Sequence, residues 1–438
     1  MILAVEKSSL SGEVRIPASK SHTIRAVAIG SLAYGTTRIA NPLVAADTLS
    51  AVEVYRQFGA SITIGDEWII KGVGGAPSVP DNVLDVGNSG TTLYIATGTA
   101  ALLDGCTVIT GDHQIRNRPA GSLIDAINNL GAHGFSTRGD GRPPLVIRGP
   151  MLGDRSFLDG SKTSQYLTSL LLSCPLARGN CDILVSNAVE APYIEMTLRW
   201  LDEQGIRYEH DGYDRFIIAG RQHYQAFEKS IPGDFSSAAF FLCAAAITGS
   251  ELTLLGLDMN DIQGDKAVVD MLREMGAKIE QLPEGLRVIG GALKGGEFDL
   301  KDMPDLLPVM AVTACFADGT TRLMNVAQAR SKETDRIKVM HKELSKMGAK
   351  IEELPDGLEI TGSPLDKLGT GPLDKLRTGP LRGAKVHGHH DHRVVMALAV
   401  AGLACDGTTT VDTADAVKVT FPNFAELMQG VGADIRIG

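Results

Sequence analysis

The sequence predicts an α/β (α+β) chain of two domains, each built from three copies of one βαβαββ-type unit around buried helices. Three observations predict it. A helix-ending glycine recurs at near-constant intervals, a second glycine series runs in phase with it, and the first helix of a unit is apolar on all sides. The length of 438 residues exceeds what one core usually serves, which also favours two domains.

The first series comprises Phe58-Gly59-Ala60, Leu130-Gly131-Ala132, Gln204-Gly205-Ile206, Met275-Gly276-Ala277, Met347-Gly348-Ala349 and Val431-Gly432-Ala433. Its first five members are spaced by about 71 to 74 residues. The second series is Gly35, Gly105, Gly179, Gly249, Gly319 and Gly407, roughly 24 to 29 residues upstream of the first. Each of these closes an Ala/Leu-rich helix and opens a strand. Glycine after a helix supplies the left-handed residue that ends it, so both series have a physical reason. Units end in paired strands, as in Ala349-Lys350-Ile351-Glu352 and Gly357-Leu358-Glu359-Ile360 about the turn Leu354-Pro355-Asp356. The last interval is longer by roughly 12 residues, where Pro364-Leu365-Asp366-Lys367-Leu368 is nearly repeated as Pro372-Leu373-Asp374-Lys375-Leu376. That excess reads as a surface loop extension, because loop insertions cost little stability.

The sixth unit breaks off at Ile435-Arg436-Ile437-Gly438, before its hairpin partner. A matching strand lies at the other end of the chain, Gly12-Glu13-Val14-Arg15-Ile16-Pro17, so the N-terminal segment is expected to complete the last unit. The domains are then 18–230 and a discontinuous 1–17 plus 231–438. The chain crosses between them near 17–20 and 230–234, and the two crossings make a hinge.

With 44% hydrophobic and 21% charged residues the composition is that of a globular protein. A net charge of −10 argues against general nucleic-acid binding, which needs a basic face, but leaves room for small anions held by local Lys and Arg. The cysteines Cys106, Cys174, Cys181, Cys243, Cys315 and Cys405 lack CxxC or metal-ligand spacing and read as reduced core residues. Met1 to Glu6 is too short for a leader, and no apolar run reaches about 18 residues. A cytoplasmic monomer without a membrane partner is the expectation.

Chemistry collects at helix starts. Val394-Val395-Met396-Ala397-Leu398-Ala399-Val400 typifies the all-apolar first helix, which is buried rather than amphipathic. Polar clusters precede such helices: Ser19-Lys20-Ser21-His22-Thr23, Gly87-Asn88-Ser89-Gly90-Thr91-Thr92, Gly160-Ser161-Lys162-Thr163-Ser164-Gln165, Gly233-Asp234-Phe235-Ser236-Ser237, Met303-Pro304-Asp305 and His389-His390-Asp391-His392-Arg393. N-capping alone would use Ser, Thr, Asn and Asp, and suffices for the Asp234 cluster. It does not account for Lys20, Arg393 or Asn88-Ser89-Gly90-Thr91. Symmetric units would aim several helix N-termini toward the gap between domains, where free N–H groups and dipole ends favour anions. Cations also start second helices, in Arg116-Asn117-Arg118-Pro119 and Ser331-Lys332-Glu333-Thr334-Asp335-Arg336. From pattern alone the latter reads equally as a solvated helix face. Pooled, the clusters hold enough Arg and Lys for two phosphates and a carboxylate.

Pro17-Ala18-Ser19-Lys20-Ser21-His22-Thr23-Ile24-Arg25, Gly87-Asn88-Ser89-Gly90-Thr91, Arg118-Pro119, Thr163-Ser164-Gln165, Lys332-Glu333-Thr334-Asp335-Arg336 and Asp391-His392-Arg393 resemble, in order and over essentially the whole chain, the signature blocks of 5-enolpyruvylshikimate-3-phosphate synthases. The resemblance implies an inside-out α/β barrel fold of two three-unit domains. It implies transfer of the enolpyruvyl group of phosphoenolpyruvate to the 5-hydroxyl of shikimate 3-phosphate, through a tetrahedral ketal phosphate, in the shikimate pathway to chorismate and the aromatic amino acids. Catalytic roles would fall to Asp305 as base at the hydroxyl, Glu333 as acid/base at C3, and Lys20 between the substrates. Shikimate 3-phosphate would be held by Lys20, Ser21, Arg25, Thr163, Ser164, Gln165, Tyr193, Asp305, Gln328 and Lys332. Phosphoenolpyruvate would be held by Lys20, Asn88, Gly90, Thr91, Arg118, Gln165, Arg336, His392 and Arg393. The Asn88–Thr91 loop is also the family's glyphosate contact region. No cofactor and no metal are implied, and the His389-His390-Asp391-His392 run is not read as a metal site.

Three positions depart from the family pattern. Glu190 stands where the family usually has Ser, and a carboxylate there is expected to turn away from a phosphate or to pair with Lys162. Tyr94 stands where Arg is frequent. Val419 replaces a Lys, with Lys418 beside it on what reads as a strand, where neighbours face opposite ways. Two rival functions fit the sequence less well. The sister enolpyruvyl transferase acting on UDP-N-acetylglucosamine generally carries a loop Cys, and Gly111-Asp112-His113-Gln114-Ile115-Arg116 has none. A non-catalytic repeat scaffold leaves the gathering of Lys, Arg, Asp and Glu at helix starts unexplained.

Overall fold

The computed structural model describes residues 1–363 and 381–438; the near-duplicated segment beginning at Pro364 lies outside the described residues. Contacts divide the chain into a continuous unit, Ala18–Pro232, and a discontinuous one, Met1–Pro17 with Gly233–Gly438. The continuous unit carries helices α1 (Lys20–Leu32), α2 (Ala46–Gln57), α3 (Gly90–Ala100), α4 (Gly121–Asn129), α5 (Gln165–Ser173) and α6 (Ala191–Glu203). The discontinuous unit carries α7 (Phe235–Thr248), α8 (Val268–Met275), α9 (Leu307–Cys315), α10 (Arg336–Lys346), α11 (His392–Gly402) and α12 (Phe424–Gly430).

Odd-numbered helices are the apolar ones, and they lie inside. Every residue of α9 and α11 is buried. In the discontinuous unit α7, α9 and α11 pack on one another; in the continuous unit α3 packs on both α1 and α5. Even-numbered helices bury one face only, as α10 does with Ile337, Val339, Met340 and Leu344. Sheets lie outside them, with alternate residues exposed, as in Arg155–Asp159. Each unit is thus an inside-out α/β arrangement of three repeats. Among the described residues no helix is long and apolar enough to cross a membrane.

All six four-stranded sheets share one order. A leading strand runs parallel to the strand after the inner helix, which pairs with the second strand of the closing hairpin. Thus Arg155–Asp159 is parallel to Cys181–Ser186, which is antiparallel to Arg215–Ile218, itself antiparallel to Tyr208–Asp211. At the crossings the leading strands are exchanged. Ser11–Arg15, which precedes α1, pairs with Glu251–Leu255 after α7; Glu228–Ser230, which precedes α7, pairs with Thr36–Ala40 after α1.

This corrects the expectation for the N-terminal segment. Leu3–Val5, not Gly12–Pro17, completes the sixth repeat, lying between Thr409–Val411 and Ile435–Ile437. An inner strand of a sheet against the core needs apolar inward residues, and Leu3 and Val5 are fully buried. Ser11–Arg15 buries only Val14, which suits its place at a sheet edge. Most glycines of both series adopt positive φ, but Gly105 and Gly179 do not. A Cβ there would lie 2.4 Å from Val79 Cγ2 or 2.6 Å from the Leu152 carbonyl oxygen, so close approach is what requires glycine at these two positions. Five cysteines are buried and Cys106 is exposed, all as free thiols.

Candidate functional site

In the continuous unit the chemistry begins where inner helices start. Ser19 caps α1, accepting from the His22 N–H, so Lys20 opens the helix with Nζ 3.1 Å from Oδ2 of buried Asp47. One turn on, Arg25 is buried on the inner helix. Its guanidinium donates to Thr197 Oγ1 (3.0 Å), Thr168 Oγ1 (3.2 Å) and the carbonyls of Ser21 (3.0 Å) and Tyr193 (3.1 Å). None of these partners is a carboxylate, and burial pulls the guanidinium pKa down to about 10. A buried cation held only by dipoles is poised for an anion.

Ser89 caps α3 and leaves Asn88 to donate to Asp112 Oδ2 (2.6 Å) and Gln114 Oε1 (2.5 Å). Gly90 opens that helix beneath Arg118: a Cβ on Gly90 would stand 3.8 Å from the guanidinium carbon. Thr91 follows, buried. Arg118 is fixed through its neighbour, because the Pro119 carbonyl accepts from both Tyr94 (2.8 Å) and Tyr166 (2.6 Å), whose rings meet edge to face. Tyr94 therefore acts on the backbone that carries Arg118.

Helix α5 has no side-chain cap of its own at Ser164. Its first N–H, that of Gln165, goes to Thr163 Oγ1 (3.3 Å), and the donors just before it go to Glu190, whose Oε2 accepts from the Ser164 N–H (3.0 Å), Ser164 Oγ (2.7 Å) and Thr163 Oγ1 (3.2 Å). Glu190 is buried at the left-handed N-cap of α6, with φ 57°. It faces the Thr163–Ser164 donors rather than turning away from them, because a helix start without its own cap attracts an anion. Gln165 Oε1 is buried with no hydrogen-bond partner among the described residues. Tyr193, in the first turn of α6, presents its carbonyl to Arg25.

In the discontinuous unit Arg336 is the centre. It caps no helix end; its side chain lies buried with Nε 2.8 Å from Asp391 Oδ2, Nη1 2.7 Å from Asp305 Oδ1, and Nη2 2.5 Å from Glu333 Oε2 and 3.2 Å from Asp391 Oδ1. Burial opposes the charge, but Asp391, Glu333 and Asp305 outweigh it and hold the guanidinium pKa above its ordinary value. Asp305 also receives Arg393 Nη2 at 2.8 Å, so it joins two arginines. Asp391 caps α11, accepting from the Arg393 N–H at 2.9 Å, and His392 is the first, buried residue of that helix. Gln328 is brought in differently: its amide donates to the Lys301 carbonyl at 2.7 Å. Lys332 is half-buried just before Glu333. Ser331–Arg336 is thus no solvated face, since Arg336 and Glu333 point inward.

The sequence reading missed Asp265. It is buried in the turn before α8 and bonded by Ser236 Oγ; burial, reinforced by Asp305, holds its carboxyl above the usual carboxylate range against the pull of Arg393. Only a Gln-Gly-Asp turn marks it in the sequence. Val419 ends a 3-10 helix, Ala414–Val419, rather than a strand, so the opposite-faces argument for Lys418 does not apply; Lys418 is exposed. In the histidine run, His387 Nδ1 lies 2.5 Å from Asp412 Oδ1 and His389 Nε2 3.0 Å from Glu343 Oε1.

The sequence pattern of EPSP synthase (3-phosphoshikimate 1-carboxyvinyltransferase) matches residues 5–428. The chain belongs to the EPSP synthase family. Family members named 3-phosphoshikimate 1-carboxyvinyltransferase include one from Ruminiclostridium cellulolyticum, 50% identical over the full length of both chains. One from Acetivibrio thermocellus is 52% identical over 99% of each chain, and one from Methanocella arvoryzae 45% over the whole of each. Among solved structures, EPSP synthase from Acinetobacter baumannii superposes with a TM-score of 0.81 at 28% identity, all of both chains covered.

Proposed function

We propose that the chain transfers the enolpyruvyl group of phosphoenolpyruvate to the 5-hydroxyl of shikimate 3-phosphate and releases phosphate. It is an enolpyruvyl transferase of the shikimate pathway. The observation that carries this is the family match over residues 5–428, because it spans every polar helix start described above.

The residues divide the work by chemistry. Arg25, whose charge has no carboxylate against it, together with Ser21, Thr163, Ser164, Gln165 and Tyr193, receives shikimate 3-phosphate. Arg118, held over Gly90 by the Pro119 clamp, binds phosphoenolpyruvate with Lys20, Asn88 and Thr91. Arg336, His392 and Arg393 serve the same substrate, and Gln328 and Lys332 the other. In the addition step the 5-hydroxyl oxygen bonds to C2 while its proton passes to Asp305 and C3 takes a proton from Glu333. In the elimination step C3 returns a proton to Glu333, the C2–O bond to phosphate breaks, and the departing phosphate takes up the proton that Asp305 had accepted, regenerating the enol ether and both carboxyl groups. Groups of this kind contribute about 10²–10⁴-fold, with positioning and charge stabilisation supplying the rest.

A coupled phosphate-release assay with the two substrates tests the reading. Turnover with this pair, and none with UDP-N-acetylglucosamine in place of shikimate 3-phosphate, is the expected result. No turnover with the pair would refute it.

A further inference from the structure

We infer that Glu190 is a resident anion, whose carboxylate holds the donors that the phosphate of shikimate 3-phosphate takes when it binds. The inference rests on the function proposed above and goes one step further. It concerns which group competes with the substrate.

Three donors converge on one carboxylate oxygen of Glu190: the backbone N–H and hydroxyl of Ser164 and the hydroxyl of Thr163. That is the donor set of an oxyanion site, a helix start with two flanking hydroxyls. Helix α5 spans Gln165–Ser173 and has no cap from the Ser164 side chain; only Thr163 Oγ1 accepts from its first N–H, at 3.3 Å. Glu190 enters from the start of a different helix and adopts a left-handed φ of 57° there, which a non-glycine residue rarely does without compensation. A second observation points to a ligand that brings a donor beside these groups, as a shikimate hydroxyl would: the Oε1 of Gln165, the next residue, is a buried acceptor without a hydrogen-bond partner among the described residues. The same turn also ties Glu190 to the buried cation. The Tyr193 N–H donates to the Glu190 carbonyl at 3.0 Å, and the Tyr193 carbonyl accepts from Arg25.

A phosphate dianion offers three oxygens and nearly twice the charge of a carboxylate, so it outcompetes the side chain for these donors. Binding then includes the release of Glu190. The measurable consequence is a KM for shikimate 3-phosphate higher than the donor set alone would give. Glu190 is in this sense a specificity-determining residue: weaker anions fail to displace it.

The test uses the full chain. Wild-type turnover with shikimate 3-phosphate and phosphoenolpyruvate is measured first, and its absence would count against the proposed function, not against Glu190. In Glu190→Ser the KM for shikimate 3-phosphate is expected to fall by about tenfold, the worth of one charge-assisted contact no longer contested. Inorganic phosphate should become a correspondingly stronger competitive inhibitor against that substrate. Glu190→Gln, which keeps the shape and an acceptor but not the charge, should move both values the same way by less. A merely structural cap predicts the opposite: a lower melting temperature with a raised KM for shikimate 3-phosphate. That outcome, or a KM unchanged in both variants, would overturn the inference.

Discussion

Replacing Arg336 with Met should destabilise the discontinuous unit severely. Four charge-assisted hydrogen bonds tie the guanidinium to Asp391, Glu333 and Asp305. Asp391 is fully buried, so water cannot take the place of the lost cation. Removing one partner of a buried ion pair typically costs about 3–5 kcal/mol, chiefly because a charge is left uncompensated. For a unit of this size each kcal/mol lowers the melting temperature by roughly 2–4 °C, which predicts a drop of about 6–20 °C. Calorimetry on the intact protein reads it. Adding Asp391→Asn removes the stranded charge while keeping an oxygen to cap the N–H of Arg393. The double variant should therefore be more stable than additivity allows, by roughly 1–3 kcal/mol. A single variant melting within about 2 °C of the wild type would refute this account, as would strictly additive losses.

Two further outcomes follow from contacts described above. Tyr94→Phe or Tyr166→Phe alone leaves the Pro119 carbonyl one donor, but the double variant leaves it none from these rings. The double variant should lose about 1–3 kcal/mol and raise the KM for phosphoenolpyruvate more than that for shikimate 3-phosphate; equal changes in both would contradict the clamp. For Asp265 the folded carboxyl titrates above its unfolded value, so the folded state holds an extra proton between the two. Its contribution to stability is then present in acid and is lost as pH rises toward neutrality. Asp265→Asn removes that slope, so its melting temperature relative to wild type should be higher at pH about 8 than at about 4; a difference independent of pH would contradict the burial argument.

What could be read in the sequence was whatever local chemistry decides. Period, helix-ending glycines and apolar inner helices give the fold class, because each follows from backbone geometry within a few residues. Ser19, Ser89, Asp234 and Asp391 are caps in the structure for the same reason. What escaped depends on distant partners. Leu3–Val5 and Ser11–Arg15 are both short strands, of which only the second was read from the sequence, and sheet position, inner or edge, tells them apart. Glu190 was expected to avoid or neutralise its surroundings, but Thr163 and Ser164, at a helix start elsewhere in the chain, had donors to offer. Asp265 looks like any turn carboxylate until Asp305 and Arg393 are brought beside it. The short segment at Val419 curls into 3-10 turns, which period-two reasoning cannot anticipate.

Ile2 and Gly438 exchange backbone hydrogen bonds, each 2.9 Å, across adjoining strands. The first and last strands of the sequence thus already meet as a hairpin lacking only its loop. A short peptide joining Gly438 to Met1, with new termini opened between Pro232 and Gly233, would give a circular permutant in which 233–438 runs directly into 1–17. The two units would then follow one another along the chain with a single passage between them, and neither would borrow a strand encoded on the far side of the other.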